Sequence, residues 1–580
     1  MKRKWEIYPP NPSLQETFSK ELEIFPLTAQ VLANRGISEI DQAYQFLHPS
    51  LSHLHSPFLM KDMDKAVDRV IQALSKRDQV LIYGDYDVDG VTSTAILTLI
   101  FQSLKFPHRY YIPPRIERGY GLHLDIIEKF AQQGVNLIIT VDCGISDMDV
   151  VKKAQEMGVD IIITDHHEVP NEIPPACAVL NPKQGDCSFP FKSLAGVGVA
   201  FNLIIALRSK LRERGAWKDG EVPNLRRYLD LVAMGTVGDL VPLLDENRIF
   251  VRFGLEELTE ASRLGIQVLK EICGLKESVI TTGTVGFKLA PRINAAGRLG
   301  ESQRAVELLV TQDLKEAERI ARELNLENSR RQRLEEDILK EIIGWIEGDD
   351  RLLQKSSLVF SSQSWHPGVI GIVASRLVEQ YYRPTILISL DGDRGKGSGR
   401  GIEGFDMYEG IKMCSPLLVS FGGHRLAAGL AIEGEKIEAF KGRFEELVSQ
   451  GCKPSDFVPK VRIDSEVALP LIQRNLIEEL SFLAPFGPSN PKPVFCSREI
   501  RVRDSRIVGE NNLKLKVEED AIYDAIGFQM GHLYPLESQR IRIAFVPQIN
   551  EWQGMKNIQL ELRDILIHEN SSRRHPPMED

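Results

Sequence analysis

Five short β-branched runs recur in the first third of the chain, at residues 80–83, 109–112, 137–141, 161–164 and 178–180. The stretches between them place apolar residues at helical spacing, as in Leu124, Ile126, Ile127 and Phe130, or Val150, Val151, Ala154 and Met157. This alternation predicts a doubly wound α/β domain, because parallel strands need helical crossovers and are buried on both faces. Ligands in such sheets bind beyond the carboxyl ends of the strands. The chain puts acidic segments where its apolar runs stop: Gly84-Asp85-Tyr86-Asp87-Val88-Asp89-Gly90, Val141-Asp142-Cys143-Gly144, Thr164-Asp165-His166-His167 and Val237-Gly238-Asp239. Periodicity and chemistry therefore point to one place.

Three aspartates at alternating positions in a Gly-bounded loop bring like charges within a few ångströms, which is costly unless cations sit between them. An EF-hand loop also opens Asp-x-Asp-x-Asp-Gly, but residues 91–96 continue as a helical pattern without the glutamate that calcium loops require. A histidine after a strand is by itself more often a satisfied hydrogen-bonding group than a ligand. Its placement opposite Asp142 and the triple-Asp loop reverses that weighting. Hard oxygens with a little imidazole suit Mn²⁺ or Mg²⁺ and hydrolysis at phosphorus.

With 580 residues, 43% apolar content and 26% charge, the chain has material for two to four domains. No apolar run approaches the roughly 18 residues of a spanning helix, and residues 1–10 lack a signal-peptide core, so a cytoplasmic, non-membrane protein is expected. Seven scattered cysteines give neither a disulfide ladder nor a zinc pattern. A net charge of −10 would ordinarily count against a nucleic-acid partner. Metal-binding aspartates inflate that figure, however, and local basic patches matter more than the sum.

Beyond residue 194 the pattern becomes mainly helical. Arg292 and Arg298 flank a small-residue segment, Asn294 to Gly297, that lets backbone approach closely, so one of the two arginines is expected on a phosphate. A long helical pattern runs from Asp313 to about Ile346, and its centre, residues 327–333, has no apolar face, as in a helix connecting two domains. A second α/β pattern follows, with two Gly-rich segments. The run around Ser398 and Arg400 offers N–H groups, a hydroxyl and a guanidinium for an anion such as a 5′-terminal phosphate. His424, after two glycines, suggests a substrate contact under a helix N-terminus. From about residue 454 short β-like runs suggest a small β-barrel, in which Tyr523, Phe528, Phe545 and Trp552 are candidates for base stacking.

These acidic motifs, with Leu194-Ala195-Gly196-Val197-Gly198-Val199-Ala200-Phe201, Pro291-Arg292-Ile293-Asn294-Ala295-Ala296-Gly297-Arg298, Trp365-His366-Pro367-Gly368-Val369-Ile370-Gly371 and Phe421-Gly422-Gly423-His424, make the chain resemble the DHH phosphoesterases over nearly its whole length. The resemblance implies an N-terminal extension (1–60), a DHH catalytic domain (61–312), a connecting helix (313–350), a DHHA1 domain (351–450), an OB-like β-barrel (451–567) and a disordered tail (568–580). It implies two divalent cations, Mn²⁺ or Mg²⁺, bridged by Asp142, with Asp87 on one side and Asp89, His166 and Asp239 on the other. Asp85, Asp165 and His167 then stand behind the ligands, and His167 could act on the leaving group. Arg115, after the second strand, joins Ser398 and Arg400 in 5′-end recognition, while relatives often carry Ser where this chain has Gly401. The activity implied is a single-strand-specific 5′→3′ DNA exonuclease that releases 5′-mononucleotides in repair and recombination, as a monomer working with a helicase and a single-strand-binding protein. Two rivals are a phosphodiesterase of short oligonucleotides or cyclic dinucleotides, which needs neither the barrel nor the extension, and a non-catalytic scaffold, which would not keep the full ligand set.

Overall fold

A computed structural model describes residues 3–217, 222–300, 302–552 and 554–567. The chain forms two compact units, one of residues 49–457 with 487–489, the other of residues 1–48 with 458–486 and 490–580.

The first unit opens on the expected alternation: β1 (Gln79–Gly84), α1 (Val88–Ser103), β2 (His108–Tyr111), the short α2 (Arg115–Arg118), β3 (Val135–Val141), β4 (Asp160–Thr164) and β5 (Ala178–Leu180). All five strands are parallel, in the order β2-β1-β3-β4-β5. Successive residues serve opposite faces: Val80, Ile82, Leu137 and Ile139 enter one apolar core, Leu81, Tyr83, Ile138 and Ile163 the other. The winding reverses between β1 and β3, and that switch point is where such sheets open a crevice. Asp85 and Asp142 leave the sheet there.

Three helices cover this crevice from the side: α3 (Gly196–Glu213), α4 (Leu229–Gly238) and α5 (Ala290–Leu299). Asp239 therefore follows a helix and not the β-run expected at Val237. The sequence misleads because residues 229–237 are buried all round, and a fully buried helix shows no amphipathic period. Helix α6 (Leu314–Gly348) then runs for 35 residues, its start capped by the Asp313 carboxylate accepting from the Lys315 and Glu316 N–H groups. Ala317, Ile320 and Leu324 pack into the first core, and Ile338, Ile342 and Ile346 into a second one around Trp365. Its polar centre is not solvated throughout. Asn328 within it is 2% exposed, and Glu335 just beyond it 5%.

The second sheet comprises β6 (Leu358–Ser362), β7 (Thr385–Asp391), β8 (Arg394–Arg400), β9 (Ser420–His424) and β10 (Ala427–Glu433), with α7 (Ile370–Tyr381) between β6 and β7. The order is β9-β10-β8-β7-β6. The Gly-rich run expected as an anion-binding loop is strand β8 itself. A Cβ at Gly395, Gly397 or Gly399 would meet Ile388, Leu430 or Met407 at 2.8, 2.7 and 3.1 Å, so every second residue must be bare for the strand to lie flat on that core. Lys396, Ser398 and Arg400 alternate with these glycines and take the opposite face.

In the other unit, β11 (Ile500–Val508), β12 (Asn512–Glu518), β13 (Ile522–Gly527), β14 (Arg540–Trp552) and β15 (Met555–Ile567) pair so that the sequence β14-β11-β12-β13-β15 returns to β14. Residues near the N-terminus join it: Lys4–Ile7 lies parallel to Lys460–Ile463, and Trp5 Nε1 donates to Asp564 at 2.7 Å. Of the stacking candidates, Phe545 is a core residue against Phe495, Tyr523 is half-buried and Phe528 is 55% exposed. The Trp552 side chain and the tail 568–580 lie outside the described residues. Among the described residues no helix is long and apolar enough to cross a membrane.

Candidate metal centre

The loops leaving β1, β3 and β4 converge with the end of α4. Asp85, Asp87 and Asp142 form one group whose candidate donor atoms lie within 4.8 Å of one another. Asp89, His166 and Asp239 form a second, and Asp142, His166 and His167 a third. Asp142 belongs to two of the three. Asp85, expected behind the ligands, stands level with Asp87, and its Oδ1 is buried without a hydrogen-bond partner.

Each side chain has a local reason for its place. Asp87 caps α1, one oxygen accepting from the Asp89 and Gly90 N–H groups at 2.9 and 3.2 Å. Asp89 accepts from Gly196 and Val197 N–H at 2.7 and 2.8 Å, so its carboxylate sits on the N-terminus of the 18-residue helix α3, where the macrodipole favours an anion. Asp165 is fully engaged by the N–H groups of His166, His167 and Ile145 and by His167 Nδ1, the last at 2.8 Å. Three of these contacts fall on Oδ1 and one on Oδ2, so Asp165 organises two loops. Asp142 adopts φ +61°, a left-handed conformation that aspartate tolerates better than most non-glycine residues.

The donor set fits divalent cations. Asp142 Oδ1, Asp239 Oδ2 and His166 Nε2 are buried and lack hydrogen-bond partners, although Nε2 lies 3.1 Å from the first and 3.6 Å from the second. His166 spends its other nitrogen on the Leu194 backbone, which turns the Nε2 lone pair toward the carboxylates. Burial, then mutual repulsion, pushes Asp85, Asp142 and Asp239 well above the usual carboxylate range, and Asp89 up to about 7. Burial, with the charge of His167, pulls His166 down to about 3. Such a cluster ionises fully only when cations compensate it. His167 goes the other way: burial alone would lower it, but its hydrogen bond to Asp165 and that group's charge raise it.

A second constellation lies between the two sheets of this unit. Arg298 Nη1 donates to Gly368 O at 3.0 Å, and burial followed by the charges of Arg115 and Arg331 holds its guanidinium down to about 10. Arg400 also feels Arg115. Arg115 stacks over the Tyr86 ring at 4.7 Å. Glu335 is the carboxylate that offsets this group from α6. Arg400 Nη1 donates to Ser398 Oγ at 3.1 Å, and a Cβ at Gly371 would lie 2.8 Å from that Oγ and 2.9 Å from Arg400 Nη2. The first turn of α7 thus approaches Ser398 and Arg400 closely, adding helix N–H dipoles to the guanidinium.

Three further residues singled out in the sequence have the following surroundings. Arg292 donates to Asn325 Oδ1 and Lys288 O, which ties it to α6 and to the turn that precedes its own helix. Asn294 Oδ1 accepts from Val88 N–H at 2.8 Å and so braces the triple-Asp loop. His424 ends edge strand β9 and is exposed, not tucked under a helix, because the residues after it pair as β10. Its charge reaches Glu168, two residues beyond His166. Sequence reasoning missed Lys183, which pairs with Glu168 at 2.8 Å and whose charge reaches Asp239 and His166. It also missed Tyr120, whose hydroxyl lies 3.0 Å from His167 Nδ1. Neither carries a signal in sequence, being a single residue in a connecting segment.

A parallel sheet with paired carboxylate and histidine clusters at its switch point, joined by a long helix to a second mixed sheet, defines a metal-dependent phosphoesterase of the DHH class. The DHH family, N-terminal domain, matches residues 79–236, the DHHA1 domain residues 354–450 and the RecJ OB domain residues 463–564. The single-stranded-DNA-specific exonuclease RecJ of Bacillus subtilis (strain 168) is 39% identical over 575 residues, covering 98% of this chain and 71% of that protein. Its namesake from Escherichia coli (strain K12) is 35% identical over 569 residues, with 95% and 98% covered. RecJ from Thermus thermophilus superimposes with a TM-score of 0.84 in complex with Mn²⁺ (30% identity; 98% of this chain, 80% of that one) and 0.77 in complex with Mg²⁺ (29%; 97% and 78%). The chain belongs to the RecJ exonuclease family.

Proposed function

We propose that this chain hydrolyses single-stranded DNA from its 5′ end, releasing 5′-mononucleotides, with two Mn²⁺ or Mg²⁺ ions. The observation that carries the reading is that one unit holds both a cluster of partnerless buried donors and, between its two sheets, an arginine-lined anion site with a helix N-terminus. Asp85, Asp87 and Asp142 would hold one cation, and Asp89, His166 and Asp239, with Asp142 shared, the other. Bound there, divalent cations acidify a water for attack on phosphorus and offset the charge that builds on the phosphoryl and leaving oxygens.

The chain's own residues do the rest. Arg115, Arg298, Ser398 and Arg400 bind the terminal phosphate, which fixes how far the strand enters and hence which phosphodiester meets the centre. Asp165 and Asn294 hold the loops that carry the donors. His167, with Nδ1 engaged by Asp165, has Nε2 left to hydrogen-bond at the leaving oxygen. Lys183 and His424 flank the centre and suit the phosphates that follow the scissile one. Residues 61–312 form the catalytic domain on this reading, 313–350 the connecting helix, 351–450 the end-binding domain and 451–567 the part that holds the outgoing strand. The same reading makes the protein a cytoplasmic monomer of DNA repair and recombination, working with a helicase and a single-strand-binding protein. Seven free cysteines suit a reducing compartment.

The test is incubation with Mn²⁺ and a long single strand labelled at either end, beside matched blunt duplex, a dinucleotide and the Asp142→Ala variant. Early release of the 5′ label as mononucleotide, absent on duplex and abolished in the folded variant, is expected. Cleavage of the dinucleotide alone would move the substrate to short oligonucleotides, and undiminished activity in Asp142→Ala would overturn the assignment of the centre.

A further inference from the structure

We infer that Tyr120 is a positioning residue of the metal centre, whose hydroxyl holds Asp142 in its left-handed conformation and His167 in its orientation. The inference rests on the reading of the centre given under Proposed function. Tyr120 Oη lies 3.1 Å from the carbonyl oxygen of Asp142 and 3.0 Å from His167 Nδ1. His167 Nδ1 is also 2.8 Å from Asp165 Oδ1. A carboxylate can only accept, so Nδ1 carries the proton and is shared between Asp165 and Oη. The hydroxyl's own proton is then free for the Asp142 carbonyl. One side chain thus grips the peptide of Asp142, a member of two donor groups, and the ring of His167, a member of one of them.

The loop that carries Tyr120 is built to hold it there. Gly119 and Gly121, at φ +82° and +97°, flank it in conformations that other residues rarely adopt. A Cβ at Gly121 would lie 2.8 Å from Asp147 Oδ1, while Asp147 Oδ2 accepts from Leu122 N–H at 2.9 Å. From the sheet, Tyr83 donates its hydroxyl proton to Gly121 O at 3.2 Å. The Tyr120 residue is 43% exposed although its hydroxyl reaches these partners. The ring lies edge-on to His167, centroids 5.3 Å apart, and a phenylalanine would keep that contact while losing the hydroxyl. Removing it should loosen Asp142 and His167 at little cost to folding.

The test uses the metal-free full-length chain and Mn²⁺ alone, titrated by electron paramagnetic resonance of the free ion, for wild type, Tyr120→Phe and Asp142→Ala. For Tyr120→Phe the dissociation constant is expected to rise about 10- to 100-fold, as for loss of a group that orients a ligand. The metal-free melting temperature should stay within about one degree, and kcat at saturating Mn²⁺ should fall with KM for the strand unchanged. Wild-type Mn²⁺ affinity in Tyr120→Phe alongside impaired binding in Asp142→Ala would overturn the role of Tyr120 and leave the centre standing. A raised KM with unchanged Mn²⁺ affinity would make Tyr120 a substrate contact instead, and a lowered metal-free melting temperature would make it a structural one. Wild-type Mn²⁺ binding by Asp142→Ala would remove the centre itself, and the inference with it.

Discussion

A methyl group added at Gly196 would lie 2.8 Å from Asp142 Oδ1 and 3.0 Å from Asp89 Oδ2, inside the contact distances that real side chains keep. Asp89 cannot retreat, being pinned by two N–H groups of α3, and while the Asp142 oxygen is free to swing away, the Asp142 Cβ would itself lie 3.0 Å from the added methyl. Gly196→Ala should therefore weaken Mn²⁺ binding at least about tenfold, a scale typical of disturbed metal surroundings. Gly198→Ala is the control on the same helix. Its Cβ would press on a terminal methyl of Leu194 at 3.2 Å, which a side-chain shift relieves, so its Mn²⁺ titration should match wild type. Equal titrations for both variants would show that close packing at Gly196 does not govern the centre. Burial and sign make a second prediction at this scale. Glu246 is fully buried, accepts from Asn202 Nδ2 and His55 N–H, and is pushed up to about 7 mainly by desolvation. Its folded-state pKa is raised, so its contribution to stability is fully present below its unfolded value near 4.5 and is lost as pH rises through about 7. The loss amounts to about 3 kcal/mol. Between pH 5 and 8 the melting temperature of Glu246→Gln should gain on wild type by several degrees. A constant difference would mean that Glu246 is already ionised in the native state at pH 5, its pKa not raised by burial.

At the scale of elements, the strand β8 and the first turn of α7 make a pocket that works against folding. Arg400 is desolvated and faces the charge of Arg115, both of which depress its pKa, so it sits where a cation is uncomfortable without an anion. Arg400→Ala is expected to raise KM about tenfold or more for 5′-phosphorylated strands, to change unphosphorylated ones little, and to leave the melting temperature equal or higher. Equal losses on both kinds of end would count against a terminal-phosphate site. The pocket also shows what sequence could and could not convey. Strands β1 to β5 were legible because β-branched residues cluster in short runs broken by helical spacing, and Asp85, Asp142 and Asp165 were legible because the fold puts strand ends in one crevice. The character of β8 was not, since its alternating glycines signal a loop unless Ile388, Leu430 and Met407 are known to press on them. Asp239 lies beside Asp89 and His166 but follows a helix instead of the expected strand, because a helix buried on all sides hides its period. Tyr120 reaches the centre through a hydroxyl 22 residues from Asp142 in sequence, a contact that no local pattern encodes.

The two units show how the whole molecule divides its work. Residues up to His48 group with the C-terminal strands and not with the sheet that follows them in sequence. The link is polar and buried: Arg35 Nη1 pairs with Asp464 Oδ1 at 3.1 Å, side chains 4% and 8% exposed, and Arg35 Nε donates to Asn490 Oδ1 at 2.8 Å. Asn34 adds two hydrogen bonds to Asp464, whose other oxygen accepts from Val494 N–H. Removing one member of a buried pair leaves its partner charged and unpaired, which costs about 3–5 kcal/mol. Arg35→Ala should therefore destabilise the unit of residues 458–567, where Asp464 is stranded. The parallel sheet and its donors contain none of these bonds. Hydrogen exchange should lose protection in strands β11 to β15 and in Lys460–Ile463 while β1, β3 and β4 keep theirs, and Mn²⁺ titration should match wild type. A double variant, Arg35→Met with Asp464→Leu, should recover most of the loss, because an apolar pair of similar volume has no charge to strand. Uniform loss of protection across both sheets in Arg35→Ala would mean that the chain unfolds as one cooperative body, and failure of the double variant to recover would mean that the pair is needed for more than its charge balance.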